Sequence, residues 1–343
     1  MKYEKKTTEH PEGAVCYIDL LGFSYLTNLL ENNEKYNDNK KEKKFGDKCV
    51  KELKLSDLPR LENYIKFGEP EDLSNITIAD WAYEIVDTNL KKFHEIVEKS
   101  CSDFQEAEYT VISDSLFIVS KSADDILYIL ANIFRQCIKN GILLRAGLAY
   151  GIYYSVKTHI SSFNIYGPAV TKAVCYEKLG KGCRIFTDSY FSKQIKISNG
   201  EIISEYKNFM NYSRIDCFEW LMIKDKYAFN KHDIGAFSKS DRFTAALDLL
   251  CDNAEVFCAL RYSPKYEWNL KNEAGIEQLT VSIEYISALV DKILKSSEAD
   301  DLEELLEEIQ EGKEFIKKQE RDEKILINMI SSKKSALREK FRL

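Results

Sequence analysis

Two carboxylates raise the question of chemistry. Asp19 stands in the middle of the apolar stretch AVCYIDLLGFS, residues 14–24, and Asp114 stands between the runs EYTVIS and SLFIVS. Burying a carboxylate without a partner costs on the order of several kcal/mol, so something must compensate for Asp19. Each acid alone has an ordinary explanation, because Asp ends strands and caps turns. At the ends of adjacent strands of one antiparallel core, however, the two can converge on a divalent cation, and Mg²⁺ and Mn²⁺ prefer carboxylate oxygens.

The elements that must hold these residues follow from periodicity. AVCYIDLL reads as a strand. Residues 79–100 read as a helix with Trp81, Ile85, Leu90, Phe93 and Ile96 on one face. EYTVIS and SLFIVS are two strands joined at a sharp polar turn. The helix of residues 123–141 starts with acids in its first turn and stops at Gly141, and the strand ILLRAGLAYG follows. A loop then leads to a short helix bracketed by Pro168 and Gly180, and the strand CRIFTD ends at Asp188. Two further strand-like runs, EIISEYKNF and RIDCFEWLMI, complete a domain of strands and helices over 1–230, with an exposed charged insertion at about 30–78. Residues 231–343 read as a helical C-terminal region, acidic and then basic over 297–343, suited to a bundle or a dimerisation arm.

Composition narrows the classes. With 343 residues, 44% hydrophobic and 31% charged, the chain is an ordinary folded protein. A net charge of −7 argues against a nucleic-acid coat, and no apolar run is long enough to span a bilayer. The opening MKYEKKTTEHPEG has no apolar export segment, so a cytoplasmic location is expected. Nine cysteines, mostly in apolar stretches and never as C-x-x-C, read as reduced core residues, and four scattered histidines disfavour a zinc site. The Gly-rich loop of P-loop nucleotide enzymes is absent from the sequence.

Taken in order, YIDLLGF, ISDS, RAGLAYG and YGPAVTKAVCYEKL resemble the catalytic domain of class III nucleotidyl cyclases, over about residues 13–190. The nearest variant is the bacterial group that includes the pyrimidine cyclases of Pycsar anti-phage systems. The resemblance implies an α+β fold, a ferredoxin-like antiparallel sheet covered by helices. It implies two Mg²⁺ or Mn²⁺ ions per site, held by Asp19, Asp114 and the backbone carbonyl of Leu20. It also implies a head-to-head homodimer in which one chain supplies metal ligands and the other supplies base-reading and transition-state groups. The 1–230 domain would then be the catalytic one, and the phosphoryl transfer it implies needs cationic side chains near the phosphates besides the metals. The candidates are Arg145 in LLRAG, Lys178 in YEKLG and Arg184 in GCRIFTD, and for each arginine the competing reading is a pairing with a nearby acid.

The sequence departs from the purine members at positions that matter. Four and eight residues after Gly167 they carry an Asn and an Arg that serve the transition state, and here stand Thr171 and Cys175. Lys178 shares a helical face with both and could restore a positive charge one turn away. The base-reading positions, four residues before Asp114 and three before Gly167, hold Thr110 and Asn164. An amide offers both a donor and an acceptor, which suits uracil or, flipped, cytosine, and does not exclude adenine. Asn164 has the alternative role of supporting the loop before Gly167.

The expected activity is a phosphorus-oxygen lyase, a uridylate or cytidylate cyclase. It would convert UTP for preference to 3′,5′-cUMP and pyrophosphate, a second messenger in anti-phage defence that acts on a separate effector. A cCMP-forming or purine-using cyclase is the near alternative. A non-catalytic protein using the same fold for dimerisation or nucleotide binding is the distant one. Asp19 and Asp114 favour an enzyme, and Cys175 favours the non-catalytic reading.

Overall fold

From residue 16 onward the first strand alternates between fully buried and half-buried side chains, the mark of a strand with an apolar face and a mixed face. This is β1 (Glu12–Leu20). The computed structural model describes residues 11–30, 44–45, 48–49, 77–157, 163–196, 203–207, 214–218, 220, 277–278, 281–282 and 285. After β1 come α1 (Phe23–Leu30), the two-residue strands β2 (Lys44–Phe45) and β3 (Lys48–Cys49), and α2 (Ile78–Cys101). Next are β4 (Glu108–Ile112), β5 (Ser115–Ser120), α3 (Ala123–Lys139) and β6 (Leu144–Ile152). The chain continues through β7 (Tyr154–Lys157), β8 (Phe163–Tyr166), α4 (Pro168–Leu179), β9 (Ile185–Thr187), α5 (Ser189–Ser192), β10 (Ile203–Lys207) and β11 (Arg214–Phe218).

Local chemistry sets the helix starts. Thr77 Oγ1 accepts from the N–H of Asp80 at 3.2 Å and donates to its carboxylate at 2.6 Å, a reciprocal cap on α2. Ser122 caps α3 by accepting from the N–H of Asp125 at 3.2 Å.

Seven strands form one sheet in the order β10-β11-β9-β6-β1-β5-β4. Strands β6, β1, β5 and β4, with the helical connections between them, give the ferredoxin-like α+β arrangement expected from the sequence, fully antiparallel in this part. The pairing of β9 differs, because it joins β6 in parallel. The reason is topological: the chain leaves β6, crosses the sheet face through α4 and re-enters alongside, and a helical crossover returns a strand in the same direction. β10 and β11 extend the sheet antiparallel beyond β9. The segment after β6, expected as a loop, contains the hairpin β7–β8, where Tyr154 pairs with Tyr166 and their rings stack with centroids 5.2 Å apart.

One sheet face carries Ala14, Cys16, Ile18, Leu116, Ile118, Ala146 and Leu148, all fully buried. Cys16 lies near Cys101 of α2, and α2 is tied to α3 by a bond from Asn132 Nδ2 to Ser100 Oγ of 2.9 Å. The other face carries α4, whose Ala169 and Ala173 join Val15, Val119, Ala149 and Tyr153 in one apolar cluster. Cys16, Cys101, Cys137, Cys183 and Cys217 are buried thiols as expected, whereas Cys175 is exposed.

The chain divides into two compact units, one of Met1–Leu21, Asn89–Cys137 and Ile142–Ala228, the other of Gly22–Thr88, Ile138–Gly141 and Phe229–Leu343. The seven-stranded sheet and α4 belong to the first. Most of the expected insertion and nearly all of the expected C-terminal helical region lie outside the described residues. No helix among the described residues is long and apolar enough to cross a membrane.

Candidate active site

The register of the sheet assembles the site. Asp19 is the penultimate residue of β1, directly between Ser115 of β5 and Arg145 of β6, so the three side chains rise from one face. Ser115 Oγ donates to Asp19 Oδ1 over 3.4 Å and lies 3.0 Å from the hydroxyl of Tyr17, two residues back on the same face. Asp114 arrives through a two-residue turn in which Ser113 takes a left-handed φ of 58°, unusual for a residue with a side chain. The N–H of Leu20 donates to the Asp114 carbonyl at 3.1 Å and fastens this turn to the end of β1.

The electrostatics of Asp19 reflect its burial first and its neighbouring acids second. Burial, then the charges of Glu177 and Asp114, push the Asp19 carboxyl up to about 6, against the opposing pull of Arg145 and Ser115. Asp19 is half-buried rather than fully enclosed. Its cost inside an apolar strand is met by placing it near the strand end, on the mixed face.

Helix α4 covers this face at short range. Gly167, at φ 132°, turns the chain into the helix, and Pro168 begins it. A Cβ at Gly147 would lie 2.0 Å from the Ala173 carbonyl oxygen and 2.5 Å from the Glu177 nitrogen, so only glycine permits this approach. The approach brings Glu177, 2% exposed, onto Arg145. The Nε and Nη2 of Arg145 both engage Glu177 Oε1, and Nη1 donates to the Gly180 carbonyl at 3.3 Å. Of the two readings open for Arg145, a phosphate contact or a pairing with a nearby acid, the structure has the pairing.

The remaining expected residues are distributed as follows. Leu20 is buried at the end of β1, next to Asp19. Thr110 is half-buried on β4 opposite Phe117, and Asn164 is exposed on β8 opposite Val156. β8 lies against β4, so the two base-reading candidates stand on neighbouring elements. Thr171, Cys175 and Lys178 are all exposed on α4, on the face turned away from Ala169, Ala173 and Glu177. The chain does not bring these three to Asp19. Arg184 is half-buried just before β9, and its carbonyl accepts from the N–H of Ala146 at 2.9 Å.

Sequence reasoning missed Glu177. Its signal was the spacing Ala169, Ala173, Glu177, which puts an acid on the small-residue face of α4, but an acid on a helix is usually solvated.

The donors present fit a hard divalent cation. Asp19 and Asp114 interact electrostatically, and Leu20 follows Asp19 in β1; the proton affinity of Asp19 is raised first by burial and then by the charges of Glu177 and Asp114, and a cation would offset both. Among the described residues no three His, Cys, Asp or Glu side chains form a metal-binding group. A cation here would therefore complete its shell from water or a ligand's phosphates, as Mg²⁺ commonly does.

No family model matches the sequence, and no curated protein matches it. Solved structures with similarity include a dimeric guanylyl cyclase domain of the RhoGC fusion protein from Blastocladiella emersonii, at 11% identity and TM-score 0.37, covering 61% of this chain and 96% of that one. The guanylate cyclase domain of RhGC from Catenaria anguillulae, in complex with GTP, is 12% identical with TM-score 0.37 and coverages of 61% and 95%. The adenylyl cyclase CyaB from P. aeruginosa is 13% identical with TM-score 0.34 and coverages of 60% and 93%.

Proposed function

We propose that the chain is a metal-dependent nucleotidyl cyclase that converts a pyrimidine nucleoside triphosphate, UTP for preference, to a 3′,5′-cyclic mononucleotide and pyrophosphate. The single observation that carries the reading is the placement of Asp114 next to the end of β1, where the Leu20 N–H holds its carbonyl and its charge acts on Asp19. Asp19, Asp114 and the Leu20 carbonyl would hold Mg²⁺ or Mn²⁺, which supplies Lewis acidity at the ribose 3′-hydroxyl and charge neutralisation at the triphosphate. The protein's own part is positioning. Ser115 fixes one Asp19 oxygen by its hydrogen bond, and the turn at Ser113 presents Asp114. In the reaction the ribose 3′-oxygen bonds to the α-phosphorus, the bond to pyrophosphate breaks, and the hydroxyl proton leaves to solvent.

Thr110 and Asn164 are assigned the base, because a hydroxyl and an amide replace charged or thiol readers and their elements are in contact. Lys178, with Thr171 and Cys175, faces outward, so its assigned role toward the triphosphate requires a second copy, and the working form is a homodimer with composite sites. Arg184 is assigned to the phosphates. The product, cUMP, would act on a separate effector in anti-phage defence, in the cytoplasm, and residues 231–343 are assigned to a helical region outside the cyclase-like domain. The exposed Cys175, in place of an arginine, is the observation that favours the second reading, a non-catalytic protein of the same fold.

The test is incubation with each of the four nucleoside triphosphates and Mn²⁺, with products identified by mass. UTP should give cUMP in excess over the rest by roughly five- to 150-fold, the discrimination an unpaired edge supplies once the composite site of the dimer encloses the base. Asp19→Ala and Asp114→Ala should abolish turnover in folded protein. Mainly cCMP would move the base, mainly cAMP or cGMP would refute the pyrimidine assignment, and no cyclic product would favour the non-catalytic reading.

A further inference from the structure

Arg145 stands directly across from Asp19 in the β1–β6 register, yet no ion pair joins the two. An arginine beside a carboxylate in a partly desolvated site pairs with it by default, two N–H groups to two oxygens. Here the guanidinium is drawn off the sheet instead. Glu177 takes Nε and Nη2, and the Gly180 carbonyl takes Nη1. The Arg145 side chain is 13% exposed and that of Glu177 2%, so water does not compete for this pair. What remains to Asp19 is one long bond from Ser115.

The arrangement is built by α4. Gly147 admits the helix backbone to within van der Waals range of β6, and the spacing Ala169, Ala173, Glu177 aims the acid at Arg145. We infer that Glu177 is a positioning residue that sequesters Arg145 and thereby keeps the Asp19 carboxylate available to a divalent cation. The inference rests on the cation reading of Asp19 and Asp114 given above. Glu177 itself touches no reacting atom. Without it, Arg145 folds back onto Asp19 and occupies the cation's place.

The experiment is Mn²⁺ binding to the full chain without nucleotide, followed by water-proton relaxation, with folding checked by circular dichroism. Glu177→Gln should weaken Mn²⁺ binding at least about tenfold, the scale on which one neighbouring opposite charge alters a carboxylate. Glu177→Gln/Arg145→Met, which removes the competing cation as well, should recover affinity to within about threefold of wild type by the same scale. A merely structural role for the pair predicts no such recovery, since the double variant lacks it altogether. If Glu177→Gln does not fold, Glu177→Asp keeps the charge, shortens its reach and should show a weaker form of the same loss and recovery. Undiminished binding in a folded single variant, or no recovery in the double variant, overturns the inference. Asp19→Asn separates the two levels. If it loses Mn²⁺ binding while Glu177→Gln keeps it, the cation reading stands and the role of Glu177 falls. If Asp19→Asn binds Mn²⁺ as wild type does, the cation reading fails and takes this inference with it.

Discussion

The two faces of the central sheet are made by the same strands and differ in what alternate residues do. On the face away from α4, Cys16, Ile18, Leu116, Ile118, Ala146 and Leu148 are fully buried and apolar. On the α4 face, Val15, Val119 and Ala149 continue the core at one end, while Tyr17, Asp19, Ser115 and Arg145 form a half-buried polar network at the other. The first face secures the sheet through area removed from water. The second gives up part of that gain to hold charges near one another, as functional sites commonly do. A helix can cover such a face only by coming close enough for its own acid to balance the arginine, and Gly147 is the residue that allows it.

Breaking each face in turn should separate them. Ile18→Ala, on the apolar face, should lose about 2–5 kcal/mol of stability through lost transfer and an unfilled cavity. Gly147→Ala, on the other, should lose about 1–3 kcal/mol by overpacking, because the clashing atoms are helix backbone and cannot rotate away. Urea midpoints measure both. The sharper difference is in Mn²⁺ binding: folded Ile18→Ala should keep wild-type affinity, whereas Gly147→Ala should lose affinity as α4 withdraws Glu177 from Arg145. Equal losses of binding in the two variants would show that the faces are not separable.

That contrast also explains what the sequence revealed. Strands β1, β4, β5, β6 and β9 and helices α2, α3 and α4 were legible because their apolar periods are strong and their ends carry recognisable caps, such as the Gly167-Pro168 entry to α4. Asp19 was legible as a carboxylate inside an apolar strand, and Asp114 as the acid at the turn between two strands. The parallel pairing of β9 was not, since pairing direction follows from the crossover and not from the strand's own residues. The β7–β8 hairpin was missed because four-residue strands leave too short an alternation to distinguish from a loop. Glu177 was missed because a burial partner 32 positions away in the chain leaves no local trace.

A smaller effect comes from Asp19 itself, in cation-free buffer. Its folded pKa of about 6 lies above the unfolded carboxylate value of about 3.9. Between those values the folded state binds the proton more tightly, so this group's contribution to stability falls as pH rises from about 4 to about 6 and stays low above that. Asp19→Asn removes the penalty while keeping an oxygen for the Ser115 hydroxyl. The variant should match wild type below about pH 4 and be more stable above about pH 6 by about 1 kcal/mol, a figure discounted for the solvent that screens a half-buried group. Thermal unfolding across pH in a chelator measures the difference. A variant less stable than wild type at pH 8 would mean that Asp19 is stabilised by the network without a cation.

The smallest stability effect belongs to the outer surface of α4, where the comparison turns on activity. Lys178 is exposed, on the side of the helix turned from Glu177. Lys178→Ala should shift stability by no more than about 0.5 kcal/mol, the usual range for surface substitutions. Its activity should nevertheless fall steeply if the site is completed by a second copy, because one chain keeps Lys178 and Asp19 on different sides of α4. Mixing inactive Asp19→Ala protein with inactive Lys178→Ala protein then tests the geometry. In a two-fold dimer that carries one defect per chain, one of the two composite sites escapes both changes. With free exchange half of the dimers are mixed, so about a quarter of wild-type activity should return. Activity that stays absent on mixing, while each homodimer folds and exchanges, would place Lys178 and Asp19 in the same site within one chain and remove the reason for a partner.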